Sequence, residues 1–378
     1  ASSFELPDVA LPVTITVDQL SIDGGIVKNV GSDTPLFVID QLNLGMQANR
    51  DQLVIDELRI KTPEIDATIQ GTLTFSKDWP VAFQGIWLAD IPGYTAANGT
   101  MKLTGTVNTP GFTVSASKPF RLQVDGTLSN VFEELSWQVS GSVEKLNPQK
   151  ISPEWPLLDI DARFDSAGNI DDYHGQLTAV VEVNENIQPD IGIIFSGNRV
   201  NLSIAPATLM LGSSGVNVDA SVDWQDNLSW QAHGQVNNLD LSTIDPSVAA
   251  SLSCSLNSNG FYGDRLSYHL ELSDLALTVD GLGTDISGSL ALDGNESGLE
   301  SLSSDIAFAG GHIGIDGNLD WQENLSWQFM AKVDEIDLST FDPALAASFS
   351  FSIRSEGSYV DMLKYHLEIT DIAVSYTH

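Results

Sequence analysis

Along residues 65–75, IDATIQGTLTF, apolar and polar side chains alternate. Ile65, Ala67, Ile69, Gly71, Leu73 and Phe75 share one face, and Asp66, Thr68, Gln70, Thr72 and Thr74 share the other. A period of two sends successive side chains to opposite sides of an extended backbone, so the run predicts a strand with one wet face and one apolar face. The alternation returns in MKLTGTV (101–107), FRLQVDGTL (120–128), LTAVVEV (177–183), GVNVDASVDW (215–224), HIGIDGNLDW (312–321) and YHLEITDIAV (365–374). Turn-forming Asn, Asp and Gly recur roughly every 8–12 residues, the signature of an antiparallel meander. Helical periodicity is nearly absent. Strands of ~8 residues joined in this way would number about 30.

The octapeptide WQDNLSWQ at 224–231 comes back as WQENLSWQ at 321–328. GVNVDASVDW at 215 likewise returns as HIGIDGNLDW at 312, LDLSTIDPSVAAS at 239 as IDLSTFDPALAAS at 336, and SYHLELSDLALT at 267 as KYHLEITDIAVS at 364. Each pair is 97 residues apart (321 less 224). LSWQVSGSVEKLNPQKISPEW (135–155) matches LSWQAHGQVNNLDLSTIDPSV (228–248) at a spacing of 93 (228 less 135), and PVAFQG (80–85) opens a weaker copy. A fixed period predicts a stacked array in place of independent globules. Residues 1–378 thus read as one continuous array: N-terminal strands over 1–76, units over 77–134, 135–227 and 228–324, and a partial unit over 325–378. In TIDPSVAAS and TFDPALAAS, Asp245 and Asp342 occupy N-cap positions with Pro246 and Pro343 behind them. That predicts one helical turn closing an edge or end of the sheet.

A meander with one apolar face cannot leave it in water, since exposure costs roughly 25 cal/mol per Å². The sequence offers no helix long enough to cover it. Two solutions remain: a second sheet forming a sandwich, or a sheet that curls into a gutter with its apolar side inward. Glycines inside the strands (Gly71, Gly105, Gly126, Gly141, Gly234, Gly288, Gly317) permit the bending that a gutter needs. The fold class expected is therefore all-β: an elongated, curved antiparallel sheet with an apolar concave interior and only short helical turns.

Composition narrows the partners. The chain carries 16 Lys+Arg against 51 Asp+Glu, a net charge of −35, yet is 42% hydrophobic. It has enough apolar material to order, and it lacks the basic face that nucleic acid or an anionic membrane surface requires. No run approaches the ~20 apolar residues of a membrane span. The start, ASSFELPDV, without an initiator Met or a signal peptide, reads as a processed or excised piece.

Catalytic and metal chemistry find little purchase. His269 and His366 share one repeat position on the polar face; His233 aligns with Met330 and Ser140; His378 is terminal. No zinc-ligand spacing, phosphate-binding glycine loop, nucleophile elbow or CxxC pair is present. Cys254 aligns with Phe351, which marks it as a filler of apolar space. Asn227 and Asn324, in Asn-X-Ser contexts, suit either a hairpin turn in the left-handed conformation or a glycan, with the turn preferred. Alternating carboxylates in LDIDARFD (158–165), IDGNLD (315–320) and LDGNES (292–297) fit either a solvated acidic face, which is preferred, or a calcium-stabilised array. No cofactor is expected.

FELPDVALPVTITVDQLSIDGG (4–25), WPVAFQG (79–85), DGTLSNVFEELSWQVSG (125–141), FDSAGNIDDYHGQL (164–177) and the LSWQ units together resemble the periplasmic part of the TamB family, the inner-membrane subunit of the translocation and assembly module. The family is similar in architecture to AsmA-like bridge proteins. The resemblance implies a taco-like sheet with a hydrophobic groove, an N-terminal inner-membrane anchor and a C-terminal segment that meets an outer-membrane barrel partner, TamA, both lying outside this chain. It also implies a periplasmic location and a non-enzymatic role in carrying phospholipid between the two membranes. Acyl chains would then lie against Ile65, Ile69, Leu73, Phe75 and Leu103, against Val124, Trp137, Val139 and Val181, and further along against Val218, Trp224, Trp230 and Leu270. The last stretch would be Ile315, Trp321, Trp327, Phe351 and Leu367. The alternatives are a chaperone-like scaffold that templates barrel proteins and autotransporters by strand addition, and the calcium-stabilised extracellular array.

Overall fold

The structure, a computed structural model, describes residues 11–28, 35–91, 93–183, 187–212, 214–243, 247–281, 284–322, 324–342 and 344–376. Asp245, Pro246, Pro343 and His378 lie outside them. The fold is all-β, with 23 antiparallel strands and almost no helix among the described residues, and it divides into two compact units, residues 1–185 and 186–378.

The first unit holds β1 (Ile15–Lys28), β2 (Pro35–Ala48), β3 (Gln52–Lys61), β4 (Ile65–Thr74), β5 (Pro80–Ala89), β6 (Ala97–Thr106), β7 (Pro110–Lys118), β8 (Arg121–Ser129), β9 (Ser136–Leu146), β10 (Asp159–Asn169) and β11 (Asp172–Glu182), with one helical turn at Pro148–Ile151. The second holds β12 (Asp190–Gly197), β13 (Asn201–Leu211), β14 (Ser214–Asp223), β15 (Leu228–Asp240), β16 (Ala250–Tyr262), β17 (Leu266–Val279), β18 (Asp285–Asn295), β19 (Gly298–Phe308), β20 (Gly311–Asp320), β21 (Leu325–Asp337), β22 (Ala347–Tyr359) and β23 (Leu363–Tyr376). Within each unit every strand pairs antiparallel with the next, as alternating turns and apolar faces require. At ~4.8 Å per strand each meander extends about 50 Å across its strands.

The strands are fewer and longer than the alternation predicts: 23, most of them 9–14 residues, in place of about 30 of ~8. Several breaks in the period are bulges inside one strand, where the chain adds a residue and continues. Register shifts occur between Val236 and Leu239, Val333 and Ile336, and Ile160 and Ala162. Lys145, Asn238 and Glu335, at equivalent repeat positions, adopt positive φ there. The amide each bulge turns out of the ladder is caught by a side chain of the neighbouring strand: Lys145 N donates to Asp161 Oδ1 (2.8 Å), Asn238 N to Ser253 Oγ (2.9 Å) and Glu335 N to Ser350 Oγ (2.8 Å). Bulges bend a strand and increase its twist, so this recurring device sets a repeated bend. The left-handed conformation expected at Asn227 falls instead at these bulges; Asn227 is not among the residues of positive φ.

The 97-residue repeat is six strands: β12–β17 recur as β18–β23. Each copy has a helical turn ahead of Asp245 and Asp342. It is a 3-10 turn at Leu241–Thr243 and Leu338–Thr340. Asp240 and Asp337 are the caps, accepting from the amides of Ser242 and Ser339 at 2.9 Å. Asp342 caps a further turn, its side chain accepting from Ala344 N (2.9 Å) and its carbonyl from Leu345 N (2.8 Å). The aspartate before Leu-Ser-Thr starts each 3-10 turn.

Among the described residues the buried apolar ones are few and mostly small, Ala48, Val81, Ala116 and Ala250 among them, and no large side chain is fully buried. The densest cluster, Ala309, Val333 and Ile336 with Phe308, Ile313 and Phe351, sits beside a 3-10 turn. Among the described residues of each unit no second layer covers the apolar face, and no helix is long and apolar enough to cross a membrane.

Candidate functional site

Residues directly opposite in an antiparallel pair share a face, so the registers trace that face strand by strand. In the first unit Ile65 stands opposite Ala89, Ile69 opposite Leu58 and Gly85, and Leu73 opposite Leu53 and Val81. Leu103 lies between Phe83 and Phe112, Val124 between Val114 and Gly141, and Val139 opposite Gly126. Trp137 lies between Leu128 and Gly168, and Val181 faces Ile160. Phe75 continues the same parity past β4 and meets Trp79 edge-on at 5.7 Å.

The second unit repeats the arrangement. Val218 lies between Ala207 and Gly234, Trp230 between Val222 and Gly260, and Leu270 between Ser258 and Leu292. Ile315 lies between Ser304 and Ala331, Trp327 between Leu319 and Gly357, Phe351 opposite Val333, and Leu367 opposite Ser355. Trp224 and Trp321 stand in turns, 42% and 43% exposed, their indole N–H groups donating to the carbonyls of Arg199 (2.9 Å) and Glu296 (3.1 Å). Ile65 and Leu367 are also exposed, Leu367 on a strand whose two faces are both exposed. Bulges shift the register, but the apolar parity is restored after each one, so every face residue predicted within a strand lies on one apolar face of its unit.

Two features of this face depend on which strands become neighbours, which the sequence alone does not state. Large rings lie over glycines of the adjacent strand: a Cβ added at Gly260 would sit 2.0 Å from the Trp230 ring, at Gly357 2.3 Å from Trp327, and at Gly126 2.5 Å from Phe112. The serines that interrupt the face are partners for indoles: Trp137, Trp230 and Trp327 donate to Ser166 (3.2 Å), Ser258 (3.3 Å) and Ser355 (3.1 Å). A buried indole N–H without a partner would be costly. Each serine follows its Trp by 28 or 29 residues, a spacing detectable in the sequence once the repeat is aligned.

The opposite face is polar and hydrogen-bonded across strands. Its shallow depressions, of about 470–500 Å³, are lined by such groups as Lys102, Thr113, Asp125 and Gln138, and in the second unit by Asp219, Gln231, His233 and Asn257. His269 Nδ1 lies 2.8 Å from Asp293 Oδ1, and Ser301 donates to the other oxygen at 2.8 Å. The carboxylate stands between the other two groups, so the imidazole does not touch the hydroxyl it would have to activate. Among the described residues no three His, Cys, Asp or Glu side chains converge as a metal site would require. Cys254 is buried against Val236, and burial pushes its thiol up, away from the reactive thiolate.

The hydrogen bond from His269, then that from Ser301, holds the Asp293 carboxyl below the usual range. Arg59, bonded to both oxygens of Asp66 at 2.9 and 2.6 Å, does the same there, chiefly by hydrogen bonding. A carboxylate with a depressed folded-state pKa contributes stability that is full above its unfolded pKa, near 4, and is lost as pH falls through the folded value. Asp66→Asn should therefore destabilise the protein most at neutral pH, with the difference from wild type closing below about pH 4, as urea unfolding at a series of pH values would record.

The geometry is that of an uncovered apolar sheet face backed by an acidic, hydrated one. The family model of the TamB N-terminal domain matches residues 2–296 of the 378. An all-β array of this construction, matched over well more than half its length, belongs to the TamB family.

Proposed function

We propose that this chain is part of a non-enzymatic periplasmic bridge whose apolar groove carries phospholipid between the inner and outer membranes and so supports outer-membrane biogenesis. The observation that carries the reading is the apolar face that persists through every strand register of each unit without a covering layer. Water would make such a face costly at roughly 25 cal/mol per Å²; acyl chains remove that cost, and contacts without directional polar bonds let a chain slide. The acidic face, with a chain total of −35, keeps the outside hydrated. On this reading the partners are acyl chains and, through segments outside this chain, the inner membrane and the barrel protein TamA. Native mass spectrometry of gently purified protein is expected to show co-purifying phospholipid, and photocrosslinkers on the apolar face to capture it. Absence of lipid in both would refute the proposal.

A further inference from the structure

This inference rests on the groove reading and concerns how the occupant lies. In residues 186–378 the strands run between two rims of different chemistry. One is formed by the turns after β12, β14, β16, β18, β20 and β22, the other by the turns after β13, β15, β17, β19 and β21. The tryptophans of this unit all lie at the first rim: Trp224 and Trp321 in its turns, Trp230 and Trp327 two residues into the strands that leave them. Tyr262 and Tyr359 end strands at the same rim, both more than half exposed. The second rim has phenyl rings, Phe308 against Phe341 at 5.7 Å beside a 3-10 turn, with Tyr376 the exception there and Phe261 the exception at the first rim. The buried residues Ala250, Ala309, Ile336 and Ala347 also lie there, so this rim is the better covered one.

Charge follows the same division. Arg265 and Lys364 stand exposed at the first rim, among carboxylates that include Asp226 and Asp264. The second rim carries Asp240, Asp280, Asp337 and Asp342, and Lys332, on the strand leading to it, is tied to Asp334 at 2.7 Å. Indole and phenol rings settle where hydrocarbon meets water, phenyl rings go with hydrocarbon, and guanidinium groups pair with phosphate. We infer that this unit holds a phospholipid with a fixed polarity: the phosphate headgroup at the Trp/Tyr/Arg rim, and the chain ends directed toward the phenyl-lined rim. Sliding along the groove would then carry the headgroup from one hairpin tip to the next without turning the lipid over.

The test uses the 378-residue protein with Cys254→Ala, loaded with phosphatidylethanolamine whose chain ends carry a fluorine tag. A nitroxide is attached in turn at Gln322→Cys, in a first-rim turn, and at Ala344→Cys, in a second-rim turn; both positions are exposed and lie at opposite ends of β21, whose 13 residues span about 40 Å. The label at 322 is expected to broaden the lipid phosphorus resonance several-fold more than the label at 344, with the order reversed for the fluorine resonance. Equal broadening of phosphorus by both labels, or the opposite order, would overturn the fixed polarity while leaving lipid in the groove. No broadening of either nucleus by either label would remove lipid from the groove, and the parent reading would fall with the polarity.

Discussion

Gly357→Val is expected to lower the urea midpoint of the protein by a large margin, and Gly260→Val to do the same one repeat earlier. Neither glycine has an unusual backbone conformation; what each provides is the space where a Cβ would be. The added carbon would fall 2.3 Å from the Trp327 ring and 2.8 Å from the Lys364 carbonyl at position 357, and 2.0 Å from the Trp230 ring at position 260. The ring cannot swing aside freely, because its N–H is engaged with Ser355 or Ser258. Overpacking costs about 1–3 kcal/mol and the displaced indole forfeits a hydrogen bond of about 1 kcal/mol, so each variant should lose about 2–4 kcal/mol. Gly314→Val is the control. It lies on the polar face of β20, where a Cβ meets nothing closer than the Ser304 carbonyl at 3.6 Å, and removing the excess freedom of glycine should leave stability unchanged or raised by up to about 1 kcal/mol. An equal loss at 314 and 357 would mean that the stacked indole plays no part.

The same glycines mark how far a sequence can be read here. Side-chain parity is local, so the face of Ile69, Val124 or Leu270 follows from its neighbours in the chain. The repeat is visible because equivalent residues meet equivalent surroundings: Asn238 and Glu335 form the same bulge, and the 3-10 turns fall 97 residues apart (338 less 241). What parity cannot reveal is register. That Gly260 lies under Trp230 and that Ser258 receives its N–H depend on the pairing of β15 with β16, fixed by a bulge whose extra residues look like a turn in the sequence. For the same reason the alternation predicts more strands than form. The 3-10 turns at Asp240 and Asp337 form where Leu-Ser-Thr follows the strand end directly, a weaker signal in the sequence than the aspartate-proline pair that comes next. The apolar character of the face was therefore readable throughout, and the packing within it was not.

Val218→Asp is expected to reduce co-purifying phospholipid about tenfold or more, whereas Asn217→Asp, one residue away with the same added charge, should leave it unchanged. The contrast follows from the period of two: Val218 points to the apolar face between Ala207 and Gly234, and Asn217 to the polar face between Thr208 and Gln235. Because the neighbours opposite Val218 are small, a carboxylate fits without a clash and remains hydrated while the groove is empty, so folding should suffer little. With lipid present that water must leave. An acyl chain gains about 0.8 kcal/mol for each methylene it buries, and the loss of two such contacts already exceeds the ~1.4 kcal/mol that corresponds to tenfold in affinity; desolvating the charge adds to this. Lowering the pH protonates the introduced carboxyl, removes the charge, and should restore part of the loading in the Val218→Asp protein alone. Loading that responds equally to both substitutions would point to lipid held by the charged outer surface, and loading that responds to neither would place the lipid away from β14.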